Sequence, residues 1–485
     1  MNTNGFHTDT IAAIATALSD SGIGIIRVSG DEAISIVDKI SILGKGKISL
    51  KDVDSHTIHY GHIVDIFSDK KDVFGKEYAP IIDEVMISVM KAPRSYTAED
   101  TVEINCHGGV LILQKVLEAV LKSGARLAEP GEFTKRAFLN GRMDLSKAEA
   151  VIDVIHAKNE YALSASVKQL KGSVSDKVRE LREKIIYEIA FIESALDDPE
   201  HISLEGYPEE LMEKTDTIIV ALEKLEASAD NGKMMKEGIH TVIVGKPNAG
   251  KSSLLNLLVG EEKAIVTNIA GTTRDILEEN IKLHGIGLNI IDTAGIRTTE
   301  DVVEKIGVEK AKKYADQADL ILYVVDASVP LDESDGQIME MIQNKKCIIL
   351  LNKSDLEGVV SEDSLKDKLN NLSDGNLKKD FVILKTSTKE NTGIDEFEQT
   401  LKDMFFHGEI SINDEVCITN MRHKAAITDA LESMRMVKQS LMDDMPEDFY
   451  SIDLMSAYAS LGTIIGEEVD DDLVNEIFSK FCMGK

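Results

Sequence analysis

Thr241-Val242-Ile243-Val244 is a run of β-favouring residues that leads straight into Gly245-Lys246-Pro247-Asn248-Ala249-Gly250-Lys251-Ser252, and a helix-forming stretch from Ser253 to Val259 follows. No other feature constrains the fold as strongly, because G-x-x-x-x-G-K-S works only where a glycine loop joins a strand to a helix N-terminus. The glycines let backbone N–H groups turn inward around phosphate oxygens, and the helix start adds positive potential. Lys251 is placed to supply a cation to the β- and γ-phosphates and the Ser252 hydroxyl to ligate magnesium. Asn248, Ala249, Gly250 and Ser253 complete the expected phosphate loop.

Further elements follow in chain order. Thr267-Asn268-Ile269-Ala270 leads into Gly271-Thr272-Thr273-Arg274-Asp275 on a loop, where Thr273 can take a second protein position on magnesium. A strand over Leu288–Ile291 ends in Asp292-Thr293-Ala294-Gly295, with Asp292 behind the metal and the Gly295 N–H toward a γ-phosphate. Loss of that phosphate releases both loops, which makes them a switch. Another strand, Cys347–Leu351, ends in Asn352-Lys353-Ser354-Asp355. Guanine presents two adjacent N–H donors that one carboxylate, Asp355, can accept together; adenine has no such pair on that edge. Asn352 fixes the loop, the Lys353 stem packs along the ring, and Ser387-Thr388-Lys389, after the strand Phe381–Leu384, offers backbone contacts to the guanine oxygen. The set predicts GTP binding. In Ras-like switches a Gln after the switch glycine orients the attacking water; here Ile296 stands there, so the task falls to another group, and Glu304 is the nearest candidate.

The rest of the chain is read by pattern and charge. Its 485 residues exceed one ordinary core and predict about three domains. Ile23–Ser29, Thr57–Asp65, Asp83–Met90 and Thr101–Cys106 read as strands and Val110–Leu121 as a helix, an α+β block over residues 1–140. Residues 141–235 carry apolar positions at helical spacing, residues 236–405 alternate strands and helices, and residues 406–485 are helical again. The α/β block therefore reads as an insertion into one helical domain. A net charge of −31 argues against a general electrostatic grip on nucleic acid. Cys106, Cys347, Cys417 and Cys482 are widely separated, which argues against zinc or disulfides. With no spanning apolar run and no targeting pattern, a cytoplasmic protein without membrane contact is expected. The acidic run Glu467 to Asp472 reads as a solvated helix start.

Several segments outside the nucleotide motifs carry a resemblance: Ile25-Ile26-Arg27-Val28-Ser29, Cys106-His107-Gly108-Gly109, Pro130-Gly131-Glu132-Phe133-Thr134, Ala137 to Asp144, and the ending Phe481-Cys482-Met483-Gly484-Lys485. With Asn248 to Ser253 and the Gly271 switch, they make the chain similar, along essentially its whole length, to the tRNA-modification GTPase family MnmE (TrmE). The resemblance implies an N-terminal α+β folate-binding and dimerisation domain, a helical domain and an inserted Ras-like α/β P-loop domain. It implies a homodimer working with an FAD- and NADH-dependent partner of the MnmG (GidA) kind in a heterotetramer or larger assembly, with much of the tRNA contact left to that partner. The expected chemistry is addition of a carboxymethylaminomethyl-type group to carbon five of the wobble uridine. A 5-formyl- or methylene-tetrahydrofolate supplies the carbon, and glycine or ammonium the amine. Carried over by position, folate contacts fall on Arg27, Glu103, Arg142 and Lys485. A potassium cage falls on Asn248, Thr267, Ile269 and Thr272, the water-orienting glutamate on Glu304, and the family's C-terminal cysteine on Cys482, for which a buried helix-end role is the plain alternative. His107 is read as structural.

Two other readings share the central domain: a ribosome-assembly GTPase binding rRNA, and a folate enzyme that uses GTP only for regulation. The first usually brings a basic RNA-binding module, and the sequence carries none.

Overall fold

A computed structural model describes residues 9–44, 48–68, 79–261, 278–283, 286–292, 314–343, 345–372, 381–406, 416–482 and 484. They divide into two compact units, residues 1–152, 169–182 and 458–485 in the first, 153–168 and 183–457 in the second.

The first unit is built on a mixed seven-stranded sheet. Its strands are β1 (Ile11–Ile14), β2 (Ser21–Ser29), β3 (Ser41–Leu43), β4 (Thr57–Val64), β5 (Ile81–Met90), β6 (Thr101–Gly108) and β7 (Arg126–Leu127), in the spatial order β3-β4-β5-β6-β2-β1-β7. Only β1 and β7 pair in parallel. Along β5, Asp83, Val85, Ile87 and Val89 face inward while Glu84 and Met86 face out, the period of a strand covered on one side. The cover is α1 (Ala33–Ile40) and α2 (Val110–Lys122), whose Ile36, Val37, Ile40, Leu113, Val116 and Val120 are buried with Ile26, Ile87 and Ile104. β1, α1 and β3 were not expected. Four residues are too few to show a period, and the β-branched Ile34, Ile36 and Val37 of α1 disguise a helix as a strand. α3 (Glu132–Leu139), α4 (Leu145–His156) and α14 (Asp471–Ser479) add a small aromatic core of Phe138, Phe478 and Phe481. Asp470 caps α14, its Oδ1 accepting from the Leu473 N–H at 2.8 Å, so the acidic run is indeed a helix start.

The second unit holds the α/β fold read from the strand–helix alternation. Strands β8 (Ile239–Val244), β9 (Glu278–Leu283), β10 (Ile286–Asp292), β11 (Leu320–Asp326), β12 (Cys347–Asn352) and β13 (Phe381–Lys385) lie in the order β13-β12-β11-β8-β10-β9. All pairs are parallel except the edge pair β9–β10. β11 and β12 are buried at every position, as expected of strands covered on both faces. One face is covered by α8 (Lys251–Glu261) and α11 (Ile394–Phe406), the other by α9 (Glu333–Ile342) and α10 (Glu362–Leu372). The order turns at β8, flanked by β10 and β11, so the crevice beyond its C-terminal end is the switch point where such sheets bind ligands.

Helices from both sides of this sheet in sequence pair with each other. α7 (Tyr207–Glu237) lies beside α12 (Met421–Met442): Thr428 bonds Glu226, Arg435 pairs with Glu223 at 2.9 Å and Lys438 with Asp216 at 2.6 Å, a falling register that makes them antiparallel. At Gly232 a Cβ would strike the Ile418 carbonyl, so a glycine is what lets the segment before α12 reach the helix backbone. α5 (Glu160–Lys171), α6 (Ser173–Asp197) and α13 (Glu447–Ile465) complete the helical parts.

Candidate nucleotide site and a second polar cluster

The loop leaving β8 turns on three residues of positive φ: Gly245 at 151°, Asn248 at 62° and Gly250 at 106°. Gly250 also permits a close approach, because a Cβ there would collide with the Asn352 amide. That amide closes the loop: Asn352 Nδ2 donates to the Ala249 carbonyl at 2.9 Å while its Oδ1 accepts from the Thr388 N–H at 3.2 Å. One buried side chain thus ties the glycine loop to the loops after β12 and β13. The Lys251 ammonium donates to the Gly245 and Lys246 carbonyls, both at 2.7 Å, which arches it over the loop. Ser252 and Ser253 are exposed in the first turn of α8.

Asp355 is oriented by its neighbours. Ser387 Oγ donates to Asp355 Oδ1 at 2.7 Å and Lys389 Nζ stands 3.8 Å from Oδ2. The Ser387 hydroxyl above all, with Lys389 and Lys353, holds the carboxyl below its ordinary range, so it is an acceptor at neutral pH. Ser354 N–H donates to the Thr386 carbonyl at 3.1 Å, fixing the loop that carries Asp355. Lys353 has a positive φ of 64° and its Nζ lies 2.5 Å from Asp326 Oδ2, so its stem is drawn across the end of β11. Sequence reasoning passed over Asp326 and also over Asp332 and Asp335, which hold Lys246 at 3.0 and 2.7 Å. A carboxylate ending a buried parallel strand was the signal available for Asp326. Thr267, Asn268, Ile269, Ala270, Gly271, Thr272, Thr273, Thr293, Ala294, Gly295 and Glu304 lie outside the described residues, and Asp292 is the last residue of β10.

In the first unit, β2 and β6 pair Arg27 opposite Glu103. Arg27 Nε and Nη2 both reach Glu103 Oε1, at 2.9 and 2.8 Å, leaving Oε2 outside the pair. The guanidinium lies 5.3 Å from the Tyr96 ring centre and 5.7 Å from that of Phe133, and Arg142 stacks over Tyr96 at 5.0 Å while donating to its carbonyl at 2.8 Å. The chain end joins them: Arg27 Nη1 donates to the Gly484 carbonyl at 3.2 Å. Arg27, Glu103 and Arg142 are thus gathered around one tyrosine, which no sequence signal marked. Lys485 lies outside the described residues. Cys482 is exposed, which rules out the buried helix-end role. His107 is exposed too, its Nδ1 2.7 Å from the buried Asp83.

The chain is similar to known proteins along nearly its whole length. A model described as the MnmE helical domain matches residues 145–482, and one described as the GTP-binding protein TrmE N-terminus matches residues 10–142. The tRNA modification GTPase MnmE of Lachnoclostridium phytofermentans is 58% identical over 99% of this chain and all of its own length. The chain belongs to the MnmE/TrmE family. Relatives of the same name from Thermoanaerobacter pseudethanolicus and Acetivibrio thermocellus are 47% and 48% identical, covering 98% and 99% of this chain and 99% and 100% of their own. As an MnmE-family protein it is a GTP hydrolase acting in tRNA modification, with GTP as substrate. The ribosome-assembly reading is set aside by these full-length matches. The MnmE helical-domain match starts before β8 and ends after α14, so it brackets the nucleotide-binding sheet.

Proposed function

We propose that this GTPase drives folate-dependent modification of the wobble uridine, adding a carboxymethylaminomethyl-type group at carbon five together with an FAD- and NADH-dependent partner. The observation that carries the reading is the Arg27–Glu103–Arg142 cluster around Tyr96. Its donor set suits a reduced folate: Glu103 Oε2 can accept from the pterin's amino edge, and Arg142, exposed at the rim, can pair with the glutamate carboxylates, joined by Lys485. The folate derivative supplies the one-carbon unit when bound; the protein's residues bind and orient it.

At the nucleotide, Lys251 binds phosphate, Ser252 and Thr273 hold magnesium, and Asp355 selects guanine. Asn248, Thr267, Ile269 and Thr272 hold potassium, which stands in for an arginine finger, and Glu304 orients the attacking water. The exposed, positive-φ Asn248 at the tip of the loop supports that placement. The α7–α12 pairing supports the division into residues 1–140, 141–235, 236–405 and 406–485, with the third inserted between the two helical parts. We read the working form as a homodimer in the cytoplasm, reaching tRNA largely through its partner; no helix among the described residues is long and apolar enough to cross a membrane.

Mass analysis of tRNA nucleosides from cells lacking the protein tests the reading. The modified wobble uridine disappears and returns with the native chain but not with Arg27→Ala; an unchanged nucleoside profile overturns it. GTP turnover higher in potassium than in sodium, with the difference lost in Asn248→Ala, tests the cation cage; equal rates in both salts remove it.

A further inference from the structure

α13 is apolar on two opposite faces. Tyr450, Leu454 and Ala457 are buried on one side. On the other, Met445 in the preceding turn, then Phe449, Ile452 and Met455 follow at steps of three or four, and all are exposed, Ile452 at 67% and Phe449 at 51%. At 100° per residue the two sets lie about half a turn apart. A globular helix needs one apolar stripe to face its core; a second stripe of large side chains facing solvent marks a contact surface.

The charge around that stripe has one sign. From Gln439 to Ala457 there is no Lys or Arg, while Asp443, Asp444, Glu447, Asp448 and Asp453 all fall there. The nearest upstream cations on α12, Arg435 and Lys438, are engaged by Glu223 and Asp216 of α7. On α7 an open groove of about 570 Å³, lined by Glu209, Met212, Glu213, Asp216, Thr217 and Val220, has a similar mixture of carboxylates and apolar side chains. Methionines adapt their shape to an incoming apolar ridge, and an acidic rim sets the sign of what surrounds that ridge. Nucleic acid and anionic membranes are repelled by it.

We propose that this face receives a basic amphipathic helix of a partner protein, its apolar residues packing on Met445, Phe449, Ile452 and Met455 and its Lys or Arg residues pairing with Asp443, Asp444, Asp448 and Asp453. The proposal stands on the helical surface and is independent of the folate reading. The probe is a fluorescent peptide of about 18 residues, about five helical turns, with leucines at i, i+3, i+4 and i+7 spacing and lysines elsewhere. It is titrated against the full-length chain, with a leucine–glutamate peptide of the same pattern as control. The lysine peptide binds, more weakly as salt rises, and the glutamate peptide does not. The pair Phe449→Ser/Ile452→Ser weakens binding about tenfold or more, the scale of a lost anchor residue, and Asp444→Lys/Asp448→Lys does likewise; both pairs keep native GTP turnover, which shows that they fold. Unchanged binding in either pair, or equal binding of the two peptides, overturns the proposal. So does a change of oligomeric state in the serine pair by sedimentation, since a second copy of this chain then covers the face.

Discussion

The loop cluster around Asn352 and Asp355 and the Arg27 cluster are both polar constellations held by their own protein partners, but they are assembled in opposite ways. Asn352 ends β12, Asp355 and Ser387 lie on the loops just after β12 and β13, and Lys251 opens α8 after the loop that leaves β8, so all four stand at the same edge of one sheet. Arg27 and Glu103 face each other across two strands, but their enclosure is completed by Gly484, 457 positions from Arg27. The tail is anchored by Phe478 and Phe481, whose rings stand 5.2 Å apart, and by the Gly131 N–H donating to the Cys482 carbonyl at 3.3 Å. A site made of strand-end loops persists as long as its sheet does; one closed by a tail depends on that tail staying docked.

The largest expected effect tests whether the two sites are separable. Lys251→Ala should lower GTP turnover about 10³-fold, the scale of losing a placed electrostatic group, with folate binding to the same protein unchanged by calorimetry. A parallel loss of folate binding breaks the comparison.

Next is the ion network that ties β7 to α3 in the first unit. Glu132 accepts from Arg126 at 2.5 and 2.9 Å and from Arg136 at 3.1 Å, and Asp9 pairs with both arginines. Glu132→Gln leaves buried guanidinium charge poorly paired and should cost about 3 kcal/mol, seen as an earlier denaturant transition of the first unit with GTP binding intact. Arg126 above all, with Arg136, holds the Asp9 carboxyl low; at Glu132 burial pushes upward but the two arginines and the Glu129 N–H outweigh it. Both carboxylates therefore add stability above the ordinary carboxylate range that is lost as pH falls through their lowered values. In Glu132→Gln this acid sensitivity should shrink.

Asp355→Asn should weaken GTP binding about tenfold to a hundredfold, matching about 1.5–3 kcal/mol for a charge-assisted hydrogen bond, and raise relative affinity for XTP, whose base carries an acceptor where guanine has its amino group. Ser387→Ala removes the main cause of the lowered Asp355 carboxyl, so the acid limb of GTP affinity should move to higher pH. An unmoved limb assigns the orientation of Asp355 to another group.

The smallest effect sharpens the role of the tail. Removing Gly484 and Lys485 should weaken folate binding about tenfold, roughly one charged contact, and leave GTP turnover as it was. Equal folate affinity would make the tail a bystander to the Arg27 cluster.

What the sequence determined by itself was whatever backbone geometry confines to a few neighbouring residues. The strand, glycine loop and helix around Gly245 to Ser252, the strand ends before Asp292 and Asn352, and the cap before the acidic helix were all readable, because spacing along a strand or helix turn fixes where such side chains point. What only the tertiary structure decided was which distant residues meet. Tyr96 beneath Arg27 and Arg142, Asp326 on Lys353, Asp335 on Lys246, the exposure of Cys482 and the second apolar face of α13 each depend on how whole elements pack. Packing joins residues by shape and buried area rather than by distance along the chain, so one sequence records the parts of those contacts and not their partners.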